Sequence, residues 1–224
     1  MRAGQMEEQG PNRNGLFITF EGGEGCGKSL QAGMLFDWIS LSKIPVMLTR
    51  EPGGTILSED IRRWLLVGSI NKWDPVTESL LYLASRSDHW FKKIYPALNS
   101  NSMVICDRFQ DSSVVYQGIG KGVSLNLLDQ IYLEITGGRY PNRTYLLDIA
   151  PEIGLRRSIA RTDNDETRFE NMDIFFHEKV RSSFLRVAEK NPDRYLVLDG
   201  NLPATEIHEK IKSDLKLQFR NIFE

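Results

Sequence analysis

Five short apolar segments, spread along the whole chain, predict the strands of a β-sheet. They are rich in β-branched and aromatic residues and occupy positions 16–21, 46–49, 103–106, 144–148 and 195–199. Stretches in which apolar residues recur with helical spacing separate them. Because nearly continuous apolar strands joined by helical crossovers form parallel sheets covered on both faces, the pattern predicts an α/β fold. We expect a three-layer α/β/α arrangement around a five-stranded parallel sheet.

The apolar residues between these segments predict four helix faces. The residues expected to face the core are Leu30, Met34, Leu35, Trp38 and Ile39; Leu57, Ile61, Trp64 and Leu65; Phe176, Val180, Phe184 and Val187; and Ile207, Ile211 and Leu215, which follow Pro203. The apolar residues of 1–14 recur with neither the helical nor the strand period, so we expect a mobile N-terminal tail there. No linker interrupts the remainder, which predicts a single domain at 15–224.

Composition narrows the classes of protein that fit this pattern. The 224 residues are 41% hydrophobic, enough for a core, and 28 Lys and Arg residues nearly balance 30 Asp and Glu residues. Such a chain lacks the basic surface that nonspecific nucleic-acid binding requires. No apolar run reaches the roughly 18 residues of a membrane span, residues 1–14 show no secretory signal, and two cysteines make no disulfide framework. We expect a cytoplasmic protein with no nucleic-acid and no membrane partner.

The first strand leads directly into a glycine-rich loop and then into a predicted helix. The loop has the pattern G-x-x-x-x-G-K-S and comprises Gly22, Gly23, Glu24, Gly25, Cys26, Gly27, Lys28 and Ser29. Glycines allow backbone N–H groups to close around phosphate oxygens at a helix N-terminus. The lysine reaches the β and γ phosphates, and the final hydroxyl binds Mg²⁺. The sequence therefore predicts a site for a nucleoside triphosphate with Mg²⁺.

A second motif suggests a GTPase but does not fit its context. Asn71-Lys72-Trp73-Asp74 matches the guanine-reading pattern N-K-x-D. The apolar residues before it have helical spacing, however, and no D-x-x-G occurs between Ser29 and Asn71. We therefore expect a loop after a helix at this position.

Three aspartates end predicted strands, and any of them resembles the carboxylate that lies near Mg²⁺ in phosphate-loop proteins. They are Asp107, Asp148 and Asp199, and the pattern alone does not choose among them. By analogy with phosphate-loop kinases, whose third strand usually neighbours the first, we favour Asp107. For Asp148 and Asp199 we expect the commoner role of capping a turn.

Arginines are placed where a parallel sheet gathers its ligands. Arg50 and Arg108 end the second and third strands, and Arg156, Arg157, Arg161 and Arg168 follow the fourth. The uninterrupted polar run 161–168 predicts a lid at about 156–170, with a disordered loop as the alternative. None of the three histidines follows a strand. Since a phosphate monoester is largely a dianion at pH 7 and needs no base, the pattern favours a nucleoside monophosphate as the phosphoryl acceptor.

These motifs together resemble the bacterial thymidylate kinase family. The resemblance rests on Phe20-Glu21-Gly22, on R-E-P-G-G-T at 50–55, on D-R-F at 107–109 followed by Ser112 to Gln117, and on Leu147-Asp148 with P-E-I-G-L at 151–155. It implies a P-loop NTPase-like fold and ATP-dependent phosphorylation of dTMP to dTDP, which supplies dTTP for DNA replication. It also implies Mg²⁺, held near Ser29 and Asp107, and a homodimer.

The resemblance implies roles for residues around the acceptor phosphate and sugar. Glu24 matches the loop carboxylate that approaches the deoxyribose 3′-hydroxyl, and Arg50 and Arg108 match the arginines that hold the dTMP phosphate. Tyr116 matches a ring that crowds the sugar 2′ position. The Glu51-Pro52 peptide is expected to be cis and to aim Arg50.

Four further residues match the family's thymine site. Tyr82 stands where a ring, more often phenylalanine, stacks on thymine, and Arg86 matches a donor to a thymine carbonyl. Ser113 falls where relatives place Ser, Thr or Asn near the base, and Gln117 is adjacent to the same site.

The resemblance also indicates where the catalytic arginine lies. Some relatives carry it in the phosphate loop and others in the lid. Because Gly25 follows Glu24 here, we expect it in the lid, with Arg161 as first choice and Arg156 or Arg157 as alternatives. Lys28, Arg108, Arg161 and Glu24 form the predicted catalytic set. Another nucleoside monophosphate kinase, a deoxynucleoside kinase and a nucleotide-sensing protein without catalysis remain as alternatives.

Overall fold

The computed structural model describes residues 15–160 and 165–223, whose strands form one parallel sheet. The strands are β1 (Phe17–Glu21), β2 (Val46–Arg50), β3 (Met103–Asp107), β4 (Arg143–Asp148) and β5 (Tyr195–Asp199). Their order is β2-β3-β1-β4-β5, and every neighbouring pair runs parallel. The predicted five-stranded parallel sheet is confirmed. Because the chain turns to opposite sides of β1, the carboxyl end of β1 lies at a topological switch point, where α/β sheets bind ligands.

Helices cover both faces of the sheet, as the three-layer prediction requires. They are α1 (Lys28–Ser40), α2 (Ile56–Leu66), α3 (Pro75–His89), α4 (Tyr95–Asn99), α5 (Gln110–Ser113), α6 (Leu125–Thr136), α7 (Pro151–Ile159), α8 (Ile174–Glu189), α9 (Ala204–Gln218) and α10 (Arg220–Phe223). π-helical turns at Trp90–Ile94 and Val114–Gly120 extend α3 and α5. No helix among these residues combines the length and apolar character needed to cross a membrane.

The core divides between the two faces of β1. Ile18 and Phe20 pack with residues of α1 and α9 on one face. Phe17, on the other face, packs with Trp90 and Tyr132. This alternation follows from the two-residue period of a strand, and it fixes the end of β1 between two buried layers.

The predicted helix faces are confirmed in α8 and α9 and partly wrong in α1 and α2. Leu35 and Ile39 of α1 are buried, but Leu30 is 53% exposed. In α2, Leu57 and Trp64 are likewise exposed, beside the buried Ile61 and Leu65. Each helix buries a narrower stripe than its apolar residues suggest, because only one neighbouring layer covers it.

The N-K-x-D sequence lies in a loop after a helix, as expected. Asp74 is the N-cap of α3, and its carboxylate accepts hydrogen bonds from the backbone N–H groups of Val76 and Thr77, each at 3.0 Å. The Lys72 ammonium donates to carbonyl groups of Trp64 and Val67. These residues stabilise the connection between α2 and α3 and do not end a strand.

Candidate active site

The glycine-rich loop connects β1 to α1 in the predicted strand-loop-helix context. Gly22, Gly25 and Gly27 have φ values of 138°, 63° and 101°, which side chains rarely tolerate. The Lys28 ammonium lies over the loop and donates to the Gly23 carbonyl at 2.5 Å. Lys28 and Cys26 are buried, at 7% and 2% exposure. Successive backbone N–H groups in a glycine-rich loop of this kind can converge on an anion.

Two glycines bring the phosphate loop and α7 into backbone contact. A Cβ atom on Gly25 would lie 1.9 Å from the carbonyl oxygen of Gly154, and one on Gly154 would lie 2.3 Å from the carbonyl oxygen of Glu24. Both distances are far below van der Waals contact. A larger side chain at position 25 therefore requires α7 to move, which gives a physical reason for the absence of a loop arginine.

Ser29 and Asp107 meet at the carboxyl ends of β1 and β3. The Ser29 hydroxyl donates to Asp107 Oδ2, and Asp107 Oδ1 is buried without a hydrogen-bond partner among the described residues. The other two strand-end aspartates are engaged elsewhere: Asp148 pairs with Arg181 at 2.7 Å, and Asp199 accepts from the Asn201 N–H at 2.8 Å. Of the three candidates, Asp107 is the one whose carboxylate contacts Ser29 of the phosphate loop.

The oxygen ligands that Ser29 and Asp107 offer at this position suit Mg²⁺. A hydroxyl and one carboxylate, completed by substrate phosphates and water, are typical ligands of this ion. The orphaned Asp107 Oδ1 is an oxygen acceptor of the required kind. Within the described ranges no group of three or more His, Cys, Asp and Glu side chains forms a metal site, so a metal here would depend on bound phosphates.

Glu24 lies at the centre of a buried network next to the loop. Its Oε1 accepts hydrogen bonds from the Tyr116 hydroxyl at 2.7 Å and from Arg108 at 3.3 Å. Burial opposes ionisation of Glu24, but a hydrogen bond from His177 and the charges of Arg108 and Lys28 outweigh it. They lower the pKa of Glu24 from 4.5 to about 2. Glu24 is therefore a carboxylate at neutral pH.

Arg108 joins the loop to the acceptor side of the site. It donates to the Gly22 carbonyl at 2.9 Å and to the Ser112 hydroxyl at 3.1 Å, and its guanidinium lies over the Tyr116 ring. Its φ of 69° is unfavourable for a non-glycine residue, and strain of this kind costs about 1 to 3 kcal/mol. A backbone hydrogen bond from Arg108 to Phe20 at 2.9 Å holds the conformation.

A cavity of about 410 Å³ brings the predicted acceptor residues together with the loop. Its lining includes Glu24, Gly25, Gly27, Lys28, Ser29, Arg50, Tyr82, Arg86, Asp107, Arg108, Ser113, Tyr116 and Gln117. Burial raises the pKa of Tyr82, which keeps its hydroxyl neutral. The volume and the mixed polar and aromatic lining are those of a small-molecule site.

The side chains of Arg86 and Arg50 differ in burial and in how many protein groups they already bind. Arg86 is 2% exposed and donates to Glu51 at 2.7 Å, to Gln110 and Ser113, and to the Phe109 carbonyl. A guanidinium has five N–H donors, so a contact with a base would use the remaining one. Arg50 has a half-exposed side chain paired with Glu59 at 3.1 Å. The Glu51-Pro52 peptide, which directly follows Arg50, is cis, as expected.

The arginines after β4 do not form one group. Arg156 and Arg157 lie on the exposed side of α7, and Arg157 donates to the Gly200 carbonyl at 2.9 Å. Arg161 lies outside the described residues. Arg168 is 1% exposed and pairs with Glu78. It also donates to the backbone carbonyls of Leu65, near the end of α2, and of Ser69 and Ile70 in the loop that follows. Its expected place among the phosphate-facing arginines is wrong, because the buried Glu78 carboxylate binds it inside the fold.

Two buried histidines were not predicted from the sequence. His89 Nε2 lies 2.6 Å from the Thr49 hydroxyl and its Nδ1 3.2 Å from Glu51, so it supports the loop that carries Arg50. His177 Nδ1 lies 3.2 Å from Glu24 Oε2. Both are on helices, α3 and α8, so a search of the residues that follow strands does not find them.

Comparisons with known proteins agree with this geometry. Residues 20–211 match the family model described as "Thymidylate kinase". The thymidylate kinase of Caulobacter vibrioides is 41% identical over 204 residues, covering 91% of this chain and 97% of the relative. That of Deinococcus radiodurans is 44% identical, covering 88% and 94%. The crystal structure of thymidylate kinase from Ehrlichia chaffeensis superposes with a TM-score of 0.72 at 33% identity, covering 90% of this chain and 99% of that one. By sequence and by fold, the chain belongs to the thymidylate kinase family.

Proposed function

We propose that this chain transfers the γ-phosphoryl group of ATP to dTMP, giving ADP and dTDP, and so supplies dTTP synthesis. The observation that carries the proposal is the cavity of about 410 Å³ in which the phosphate loop meets Glu24, Arg108 and Tyr116. Phosphoryl transfer requires the two phosphates to be positioned in line and their charge to be neutralised, with little covalent chemistry by the protein. A loop for one phosphate next to cations for the other meets that requirement.

The donor side comprises the phosphate loop and the start of α1. Backbone N–H groups of residues 22–29 would bind the ATP phosphates, and Lys28 would exchange its Gly23 contact for the β and γ phosphates. Ser29 and Asp107 would hold Mg²⁺, which when bound neutralises charge on the transferring phosphate. The buried, unpartnered Asp107 Oδ1 supports this assignment.

The acceptor side follows from three residues that touch one another. Arg108, with Arg50, would hold the dTMP phosphate next to the loop carbonyl that Arg108 already binds. Glu24 Oε2 is buried and lies 3.2 Å from His177 Nδ1. A carboxylate oxygen accepts more than one hydrogen bond, so Oε2 could also accept one from the 3′-hydroxyl. The Tyr116 hydroxyl is fixed by Glu24 Oε1 at 2.7 Å, which would place the ring against the sugar 2′ position and disfavour ribose.

The thymine would lie at the far end of the cavity, where four of its lining residues would surround the base. Tyr82 would stack on the ring, and Arg86 would donate its remaining N–H to a carbonyl. Ser113, which accepts from Arg86 at 2.9 Å, and Gln117 would complete the polar contacts.

The catalytic arginine and the lid remain part of the proposal. We assign the role first to Arg161 and place the lid at about 156–170. The contact between Gly25 and Gly154 supports this choice, because it leaves no space for a side chain at position 25, the loop position that follows Glu24. Within the proposed lid, Glu166 binds Arg62 through two hydrogen bonds of 2.9 and 2.6 Å, which would link the lid to the acceptor side.

We also propose a cytoplasmic homodimer in which residues 15–224 form one domain. The support for a dimer is apolar surface on α2 and α3, which pack against each other. Trp64 is 51% exposed, and Val76 and Leu80 are each 49% exposed. A partner chain that covered them would bury side chains that otherwise face water.

An ADP-release assay tests the proposed function. ATP and Mg²⁺ are combined with dTMP, dUMP, UMP, CMP or thymidine as the acceptor, and we expect the highest kcat/KM for dTMP. Turnover of thymidine without turnover of dTMP would identify a deoxynucleoside kinase instead. Nucleotide binding without acceptor-dependent ADP release would indicate a protein that senses nucleotides.

A further inference from the structure

Glu24 is held on two sides, and only one of them belongs to the acceptor cavity. Tyr116 and Arg108 contact Oε1 from that cavity. His177 reaches Oε2 from α8, at 3.2 Å through Nδ1. The His177 side chain is 4% exposed and the Glu24 side chain 9% exposed, so water competes little for this contact.

α8 supports the sugar site through more than one residue. Phe176 precedes His177 and packs against the Tyr116 ring, with ring centroids 6.1 Å apart. Phe184, two turns later on the helix, contacts the same ring at 6.1 Å. α8 thus contacts both residues assigned above to the acceptor sugar, Glu24 through His177 and Tyr116 through the two phenylalanines.

Glu24 needs such support because of its position in the chain. It lies between Gly23 and Gly25 in a loop without regular structure. A glutamate with free rotamers loses roughly 1.5 to 2 kcal/mol of side-chain entropy when a ligand orders it. An imidazole that carries its proton on Nδ1 attracts Oε2 and restricts the carboxylate before the ligand binds. A cavity of about 20 Å³ borders His177, Glu24 and Gly23, enough for a water molecule beside the ring.

We propose that His177 is a positioning residue for the acceptor sugar, because it orients the Glu24 carboxylate toward the 3′-hydroxyl of dTMP. The inference rests on the proposed function. It predicts that substitution of His177 raises KM only for acceptors that carry a 3′-hydroxyl. A histidine that merely filled space between α8 and the loop would affect all acceptors alike.

The test compares two variants on two acceptors. His177→Phe keeps the ring and removes both nitrogens, whereas His177→Asn places an amide N–H near the position of Nδ1. The acceptors are dTMP and its 3′-deoxy analogue, with ATP and Mg²⁺. For His177→Phe we expect KM for dTMP to rise about 5- to 10-fold, the effect of one hydrogen bond, while KM for the analogue changes less than about 2-fold. His177→Asn is expected to restore KM for dTMP.

Controls separate positioning from misfolding and from failure of the proposed function. The Kd for ATP should be the same in all variants, and Glu24→Gln should remove the effect of His177→Phe on dTMP. An equal rise in KM for both acceptors, or no rescue by His177→Asn, would overturn the inference. If the unmodified protein discriminates between the acceptors but His177→Phe changes nothing, only the inference fails. If it does not turn over dTMP at all, the proposed function fails as well.

Discussion

The low pKa of Glu24 predicts a specific pH dependence of stability. Contacts with His177, Arg108 and Lys28 lower this pKa from 4.5 to about 2 on folding. A carboxylate with a lower pKa in the folded state contributes stability that is complete above its unfolded pKa and is lost as pH falls toward its folded pKa. The full contribution is about 3 kcal/mol, since one pKa unit corresponds to about 1.4 kcal/mol. Linkage then gives a loss of about 0.8 kcal/mol by pH 4 and about 2 kcal/mol by pH 3.

The measurement is the difference in free energy of unfolding between the unmodified protein and Glu24→Gln. Urea unfolding at pH 7, 5, 4 and 3 gives this difference at each pH, and taking the difference cancels the titration of other groups. We expect it to be largest at pH 7 and to fall by about 2 kcal/mol at pH 3. Glu134→Gln, an exposed carboxylate on α6, controls for loss of one surface charge. A difference that stays constant from pH 7 to pH 3 would refute the electrostatic account of this network.

Three further substitutions test other parts of the site. Arg161→Ala should lower kcat by about 10³-fold, as loss of an arginine finger does, with little change in the dTMP KM; a parallel loss of dTMP binding would make Arg161 a binding residue instead. Asp107→Asn should raise the Mg²⁺ concentration needed for half-maximal activity at least about 10-fold, because one charged ligand is lost; an unchanged Mg²⁺ titration would contradict the assignment. Arg168→Met should lower the free energy of unfolding by about 3 kcal/mol, because Glu78 is 0% exposed and loses a buried partner. Urea unfolding checks this value, and a loss below about 1 kcal/mol would show that Lys121 and Gln117, which also donate hydrogen bonds to Glu78, satisfy it without Arg168.

The parts of the site that sequence reasoning could predict are those encoded by contiguous residues. The loop 22–29 contains the turn signals and lies between residues that predict a strand and residues that predict a helix. Its conformation could therefore be predicted from neighbouring residues alone. The pairing of Ser29 with Asp107 depended on the order of strands in the sheet and was available only by analogy with phosphate-loop kinases. The structure places β3 beside β1, which explains why the analogy succeeded.

The parts that could not be predicted depend on contacts between distant segments. Arg168 ends a run of polar residues after β4 and was therefore expected to face the ligand, but it is buried against the Glu78 carboxylate, which lies on α3. His177 has ordinary helical neighbours, and nothing near it in sequence indicates Glu24. Leu30 and Trp64 fit a helical period, but the period does not specify which neighbours cover a helix. Each case requires the tertiary arrangement, which a single sequence does not give.

The contact between Gly25 and Gly154 also constrains how this enzyme can change during evolution. Neither glycine accepts a Cβ atom while the backbones stay in place, because each would meet a carbonyl oxygen at 1.9 or 2.3 Å. Packed interiors rarely absorb such overlaps without moving a whole element. A single substitution that introduced an arginine at position 25 would therefore displace α7 before it could supply any useful charge. A lineage with this pair of glycines would reach an arginine at position 25 only through intermediates that first separate the two segments, and this favours variants that supply the charge from elsewhere in the chain.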